Sequence, residues 1–192
     1  MGRPLVVAGT IAVGVALVVV MAALLSRPHA NPGTAESGGA AACSIDNASV
    51  EATNAAKDGV DASGRAISYS PANLIDSDEA TAWRTPGKGI DQTVTLSFPS
   101  ACDVTSIEIV NGYNKIDSND GTDRWRQNRR VVKLRIQANS TSVTVSLNSS
   151  SRRWQTVAFQ ESQVNSISLT ILSSAPSKVE RDYTALSEIR VT

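Results

Sequence analysis

Beyond residue 43 the chain alternates between apolar and polar positions. Thr93-Val94-Thr95-Leu96-Ser97-Phe98 places a large apolar side chain at every second residue until Pro99. Val104 to Val110, Val132 to Ile136, Ser142 to Leu147, Trp154 to Phe159 and Val164 to Leu172 repeat the habit, and Ala185 to Thr192 closes the chain. A period of two sends successive side chains to opposite faces of a strand. Short, β-branched runs of this kind, separated by Asn, Ser, Gly and Pro, predict an all-β antiparallel sandwich with one wet face on each sheet. A helix is expected only near Ser49 to Asp58, and as one turn at Asp78 to Trp83.

The N-terminus breaks the pattern. Leu5 to Leu25 is an uncharged apolar run flanked by Arg3 and Arg27, as long as the roughly 20 residues a bilayer-spanning helix needs. Residues 1–27 are therefore expected to form a transmembrane anchor, with a cleaved signal segment as the alternative. Arg3 and the α-amino group favour an inside N-terminus. The expected location is a single pass through the cell membrane with the domain outside the cytoplasm; secretion is the alternative. Residues 28–42, rich in Gly, Ala and Pro, read as a flexible linker, and residues 43–192 as the domain. Cys43 and Cys102 are the only cysteines. In an exported domain they read as a disulfide; two buried thiols or a lipid-modified Cys43 are the alternatives. Eighteen basic residues balance eighteen acidic ones, which favours neither nucleic acid nor an anionic membrane surface as a partner.

Two loops carry candidate chemistry. The first runs Asn73-Leu74-Ile75-Asp76-Ser77-Asp78-Glu79-Ala80-Thr81-Ala82-Trp83. Asp76, Asp78 and Thr81 offer hard oxygen donors at offsets that let a tight loop turn them inward, the chemistry of a cation such as Ca²⁺. The alternative is that Asp76 and Asp78 cap a helical turn and Glu79 is solvated. Trp83 reads as an anchor into the core. The second loop, Asn111 to Val131, is long and polar, which in compact domains is often functional. Tyr113 and Trp125 offer faces for sugar C–H surfaces, and Arg124, Arg126 and Asn128 offer donors for hydroxyls or carboxylates. The alternative is a solvated loop with local Arg–Asp pairs and Trp125 plugging the sandwich end. Arg124, Arg126, Arg129, Arg130, Lys133 and Arg135 form a basic run beside Asp117, Asp120 and Asp123; Lys133 and Arg135 read as a solvated strand face. Catalysis finds little support: the one histidine, His29, lies outside the domain, so no Ser-His-Asp or Cys-His arrangement can be built in it.

Residues 61–192 resemble the discoidin superfamily, the coagulation-factor type C domains. The resemblance rests on Ala62-Ser63, Asn73-Leu74-Ile75-Asp76, Thr81-Ala82-Trp83-Arg84, Gly89, the strand Thr93 to Phe98, Asn111-Gly112-Tyr113, Asn128-Arg129-Arg130-Val131 and Ser187-Glu188-Ile189. Their order is most similar to the bacterial subgroup found with secreted NAD-glycohydrolase toxins and in actinobacterial membrane proteins. It implies a galactose-binding-like jelly-roll sandwich and a structural Ca²⁺ held by Asp76, Asp78, Thr81 and Glu188. It also implies a ligand site on the loops at one sandwich end. Ser77 departs from the family, which commonly has Gly there. The expectation is a non-catalytic glycan-binding module that holds the protein to cell-wall or surface carbohydrate. The alternative is a scaffold domain binding an envelope protein. Glycan binding requires Tyr113 or Trp125 at an open groove; a scaffold predicts a flat apolar patch with those aromatics buried.

Overall fold

The computed structural model describes residues 40–61, 63–177 and 181–192. The Leu5 to Leu25 run and most of the linker lie outside them. Among the described residues no helix is long and apolar enough to cross a membrane.

The described residues form nine strands: β1 (Ser49–Ala52), β2 (Gly59–Val60), β3 (Ala66–Ile67), β4 (Trp83–Pro86), β5 (Thr93–Asn111), β6 (Arg129–Ala138), β7 (Thr141–Ser146), β8 (Trp154–Ala175) and β9 (Tyr183–Val191). One α-helical turn, α1 (Arg124–Gln127), and 3₁₀ turns at Ile45–Asn47 and Pro71–Leu74 are the helical elements among the described residues. β2 and β3 form a separate two-stranded ladder. The other strands join in the order β1-β5-β8-β6-β9-β4, with β7 on β6. Pairing is antiparallel throughout this ladder except where Arg129 and Arg130 run parallel to Thr184 and Ala185.

β5 and β8 are long because each serves both layers. The first half of β5 pairs β1 and the second half of β8; its second half pairs β9 and the first half of β8. The expected break at Pro99 is a bend instead. Proline gives no amide to a ladder and is tolerated where pairing is irregular, and the register shifts between Ser97 and Cys102 and again by Val104 and Ser106. Ser49–Ala52, expected to be helical, is strand β1, because Val50 and Ala52 pack against the core while pairing with Leu96 and Val94. Here a tertiary partner overrides a weak local preference.

The alternating residues fill the space between layers. Leu96, Ile107, Ile109, Leu134, Ile136, Ile167, Leu169, Ile171, Leu186 and Ile189 are fully buried with Trp83. The Trp83 Nε1–H donates to the Asn54 carbonyl at 3.0 Å, so the indole anchors its loop as the sequence suggests. Cys43 and Cys102 form a disulfide with a Cα–Cα distance of 4.9 Å. Beside it, Cys43 donates its N–H to the Asp103 carbonyl and Asp103 donates to Ala41. The C-terminal Thr192 bonds Thr105 and Ser106. Both ends of the domain thus sit on the β5 bend, and the 112–128 and 147–153 connections lie at the other end of β5, beside Asn111 and Val110.

Candidate functional site

The Asp76 loop is built by short-range polar chemistry. Asp76 accepts from the Asp78 amide at 2.9 Å, and Asp78 accepts from the Ala80 amide at 2.9 Å. Between them Ser77 takes φ of 65°, the left-handed region where glycine is unstrained. The departure from the family's glycine therefore keeps the loop shape and stores strain of about 1 kcal/mol. The Thr81 hydroxyl oxygen lies 2.8 Å from Asp76 Oδ2, 3.1 Å from the Asp78 carbonyl and 3.4 Å from the Asn73 carbonyl. One O–H cannot serve three acceptors.

Glu188 adds to the same excess of lone pairs. It pairs in register with Val110 on the outer face of the second layer and is 1% exposed. Its carboxylate lies beside the Asp76 carboxylate and the Asp78 amide, yet neither oxygen makes a well-formed hydrogen bond. Burial, and then Asp76, push its pKa up to about 8. Ser187, its neighbour, donates to the Thr81 carbonyl at 2.8 Å and accepts from the Asn114 amide at 3.0 Å. Glu79 is not merely solvated: it accepts from Trp154 Nε1 at 2.7 Å and from Asn114 at 3.1 Å. Trp154, capped by Arg190 at 4.0 Å, is a half-buried residue of this outer face rather than of the core.

The donor set Asp76, Thr81, Glu188 and the carbonyls of Asn73 and Asp78 fits a hard cation. Orphaned, buried carboxylate oxygens facing a second carboxylate are what such an ion neutralises. The Asp78 side chain is engaged in its turn, so its contribution would be the carbonyl. Among the described residues no three His, Cys, Asp or Glu side chains come together as a metal-holding group, which leaves two carboxylates and neutral oxygens as the available ligands.

The second loop folds back on itself. Asp123 caps α1, accepting from the Arg126 amide. Arg124 pairs with the buried Asp117 at 2.8 Å and donates to Gln127 at 3.0 Å; this pairing holds the Asp117 carboxyl below its ordinary range. Asn128 is buried and donates to the Arg124 carbonyl at 2.7 Å. Tyr113 is only 2% exposed and meets Tyr69 edge-on at 6.1 Å; burial pushes its phenol up to about 12. Arg124, Asn128 and Tyr113 thus shape the loop from inside. Trp125 and Arg126 remain accessible, Trp125 half-buried and Arg126 65% exposed at the side chain.

Trp125 sits on Gly112. A Cβ there would lie 2.7 Å from Trp125 Cδ1 and 2.9 Å from Arg130 Cγ, and φ is 93°, so only glycine lets the indole seat and donate to the Asn111 carbonyl at 2.9 Å. Arg130 and Arg152 lie over its ring at 4.5 and 4.7 Å. Trp125, Arg126, Arg130 and Ser150 line a cleft of about 220 Å³. A second cleft, of about 270 Å³, is lined by Ser68, Asn73, Thr81, Tyr113 and Lys115 among others. Arg130, Ser150 and Arg152 were not candidates from sequence. Arg130 reads as one of a basic run, and only its 8% exposure marks it as a wall. A further buried cation, Arg84, lies between the rings of Tyr69 and Tyr183 at 4.2 and 4.1 Å.

The fold and its loops define a discoidin-like, coagulation-factor type C sandwich. Residues 45–192 match the profile of the NAD glycohydrolase translocation F5/8 type C domain, and the chain belongs to that family. Solved structures share the architecture. CpGH89CBM32-5 from Clostridium perfringens, in complex with GalNAc-β-1,3-galactose, has a TM-score of 0.56 at 14% identity, covering 79% of this chain and 99% of its own. The family 32 module of NanJ from C. perfringens, in complex with galactose, has a TM-score of 0.52 at 19% identity, with 79% and 97% covered. The CBM32 of AlyQ, in complex with 4,5-unsaturated mannuronic acid, has a TM-score of 0.52 at 18% identity, with 78% and 98% covered. At such identities the likeness is one of fold. Comparison with curated proteins gave no match.

Proposed function

We propose that the domain is a non-catalytic, extracytoplasmic module that binds glycan through the loops at the Trp125 end of the sandwich. The observation that carries this reading is a half-buried indole lining a cleft, seated on Gly112 and flanked by guanidinium groups. A rigid aromatic beside fixed donors is the usual anatomy of a small-ligand site. The carbohydrate complexes among the structural neighbours support it. The Cys43–Cys102 disulfide supports an oxidising compartment outside the cytoplasm, and the Leu5 to Leu25 run supports tethering to the membrane. A flat apolar docking patch finds less support. Val60, Ile90 and Ile116, the exposed large hydrophobic residues among those described, come from three separate segments.

In this reading Asp76, Thr81 and Glu188, with the Asn73 and Asp78 carbonyls, hold a structural Ca²⁺. The ion supplies positive charge that ties β9 to the Asp76 loop. Binding of the whole chain to a glycan array, repeated with Trp125→Ala, tests the main proposal. Retention on at least one polysaccharide that is lost in the variant, with an unchanged circular dichroism spectrum, is expected. No retention on any glycan would sink it.

A further inference from the structure

We propose that the Trp125–Arg126–Arg130–Ser150 cleft selects acidic glycans, taking a sugar that bears a carboxylate or sulfate against the indole and the guanidinium groups. This rests on the glycan-binding reading and adds the class of ligand.

The argument is one of charge accounting. Two of the loop's cations are neutralised by neighbours of their own: Arg124 by Asp117 and, at 3.9 Å, by Asp120, and Arg129 by Asp182. The cleft is different. Arg126 and Arg152 share one carboxylate, Asp123, with Arg126 at 3.2 Å and Arg152 in a short contact. Burial works against ionisation of Asp123, but the Arg152 hydrogen bond and charge outweigh it and hold the carboxyl below its ordinary value. Its charge is therefore fully committed.

Arg130 has no carboxylate partner among the described residues. Its guanidinium donates to the Asn128 carbonyl at 2.8 Å, the Ser149 carbonyl at 3.2 Å and the Trp125 carbonyl at 3.4 Å. Carbonyls satisfy its hydrogens, and the nearest compensating charge is Asp123, which acts on it without an ion-pair contact and is already held by Arg126 and Arg152. Burial, and then Arg152, push it below its ordinary pKa. Two guanidinium groups, Arg126 and Arg130, thus line a cleft of about 220 Å³, a third, Arg152, lies over the same indole, and one carboxylate, Asp123, serves all three. A desolvated cation without a counter-ion is costly, and a ligand anion entering beside it offsets that cost. A neutral sugar stacking on Trp125 would not. The indole favours a ring-shaped anion over a free inorganic one, and Ser150 from the 147–153 connection adds a hydroxyl to the cleft lining.

Isothermal titration of the whole chain with oligogalacturonate, its fully methyl-esterified form, a sulfated galactan oligomer and a neutral galactan oligomer tests this. The acidic oligomers should bind about ten-fold or more tightly than their neutral counterparts, and the gap should shrink as salt is raised. Arg126→Gln should weaken the acidic oligomers several-fold more than the neutral ones and so narrow the gap between them; its side chain is 65% exposed, so the core stays intact. Arg130→Lys is the second variant, with fold checked by circular dichroism. A preference for carboxylate over sulfate, or the reverse, identifies the source of the anion. Equal binding of acidic and neutral oligomers would overturn the inference while leaving glycan binding standing. Inorganic sulfate competing as well as the acidic oligomers would also overturn it, leaving an anion site only. Binding of none of the four would remove both readings.

Discussion

Glu188 gives the sharpest quantitative test of the clasp between the Asp76 loop and β9. Its pKa rises from an ordinary 4.5 to about 8 in the fold. Below pH 4.5 both folded and unfolded chains hold the proton, and the group costs nothing. Between that value and about 8 the unfolded chain releases a proton the folded one retains, so metal-free protein loses stability as pH rises. At full linkage the shift corresponds to ~5 kcal/mol. Asp76 is solvent-exposed, and screening of its field reduces the expectation to ~2–3 kcal/mol. For a domain of this size that is roughly 5–10 °C in melting temperature. The assay is thermal unfolding in EDTA at pH 5 and pH 8.5. The carboxylates held low in the fold, Asp61, Asp117, Asp120 and Asp123, lose their stabilisation only under stronger acid and leave this window clean. Glu188→Gln should flatten the slope. Ca²⁺ should raise the wild-type melting temperature most at pH 8.5, where the carboxylate is ionised, and should do little for the variant. An equal pH slope in both proteins, or none in the wild type, would refute the reasoning.

Ser77→Gly should stabilise the domain by about 0.5–1 kcal/mol in urea denaturation, because it relieves a left-handed serine at φ 65°. Gly112→Ala should destabilise by about 2 kcal/mol or more and quench ligand binding, since the new methyl displaces Trp125; unchanged tryptophan fluorescence would contradict this. Reducing the Cys43–Cys102 bond, which spans a separation of 59 residues, should cost ~4 kcal/mol on the chain-entropy account, seen as a lower denaturation midpoint. Tyr113, pushed up to about 12, should remain protonated after an ordinary tyrosine has titrated in alkaline ultraviolet difference spectra. The fold should lose stability as pH rises above about 10, where the unfolded chain ionises first.

The strands were legible because alternation is a local property. Leu96, Ile107, Leu134, Ile136 and Leu169 declare a buried face whatever the layers' order. The Trp83 anchor and the disulfide were legible for a related reason, since a bulky indole beside a polar loop and a lone cysteine pair each have few satisfactory environments. The family resemblance added the Asp76 and Glu188 ends of the clasp, which lie 112 positions apart and share no local signal. What residue order could not determine was orientation and company. Pro99 reads as a stop, but a partner strand on each side of the bend carries β5 through it. Tyr113 and Asn128 read as contacts, yet the Tyr69 ring and the Arg124 carbonyl enclose them. Arg130 reads as one charge in a basic run. Only packing shows it buried against Trp125 with carbonyls for company, because whether a charge is neutralised depends on what the fold brings within a few ångströms of it.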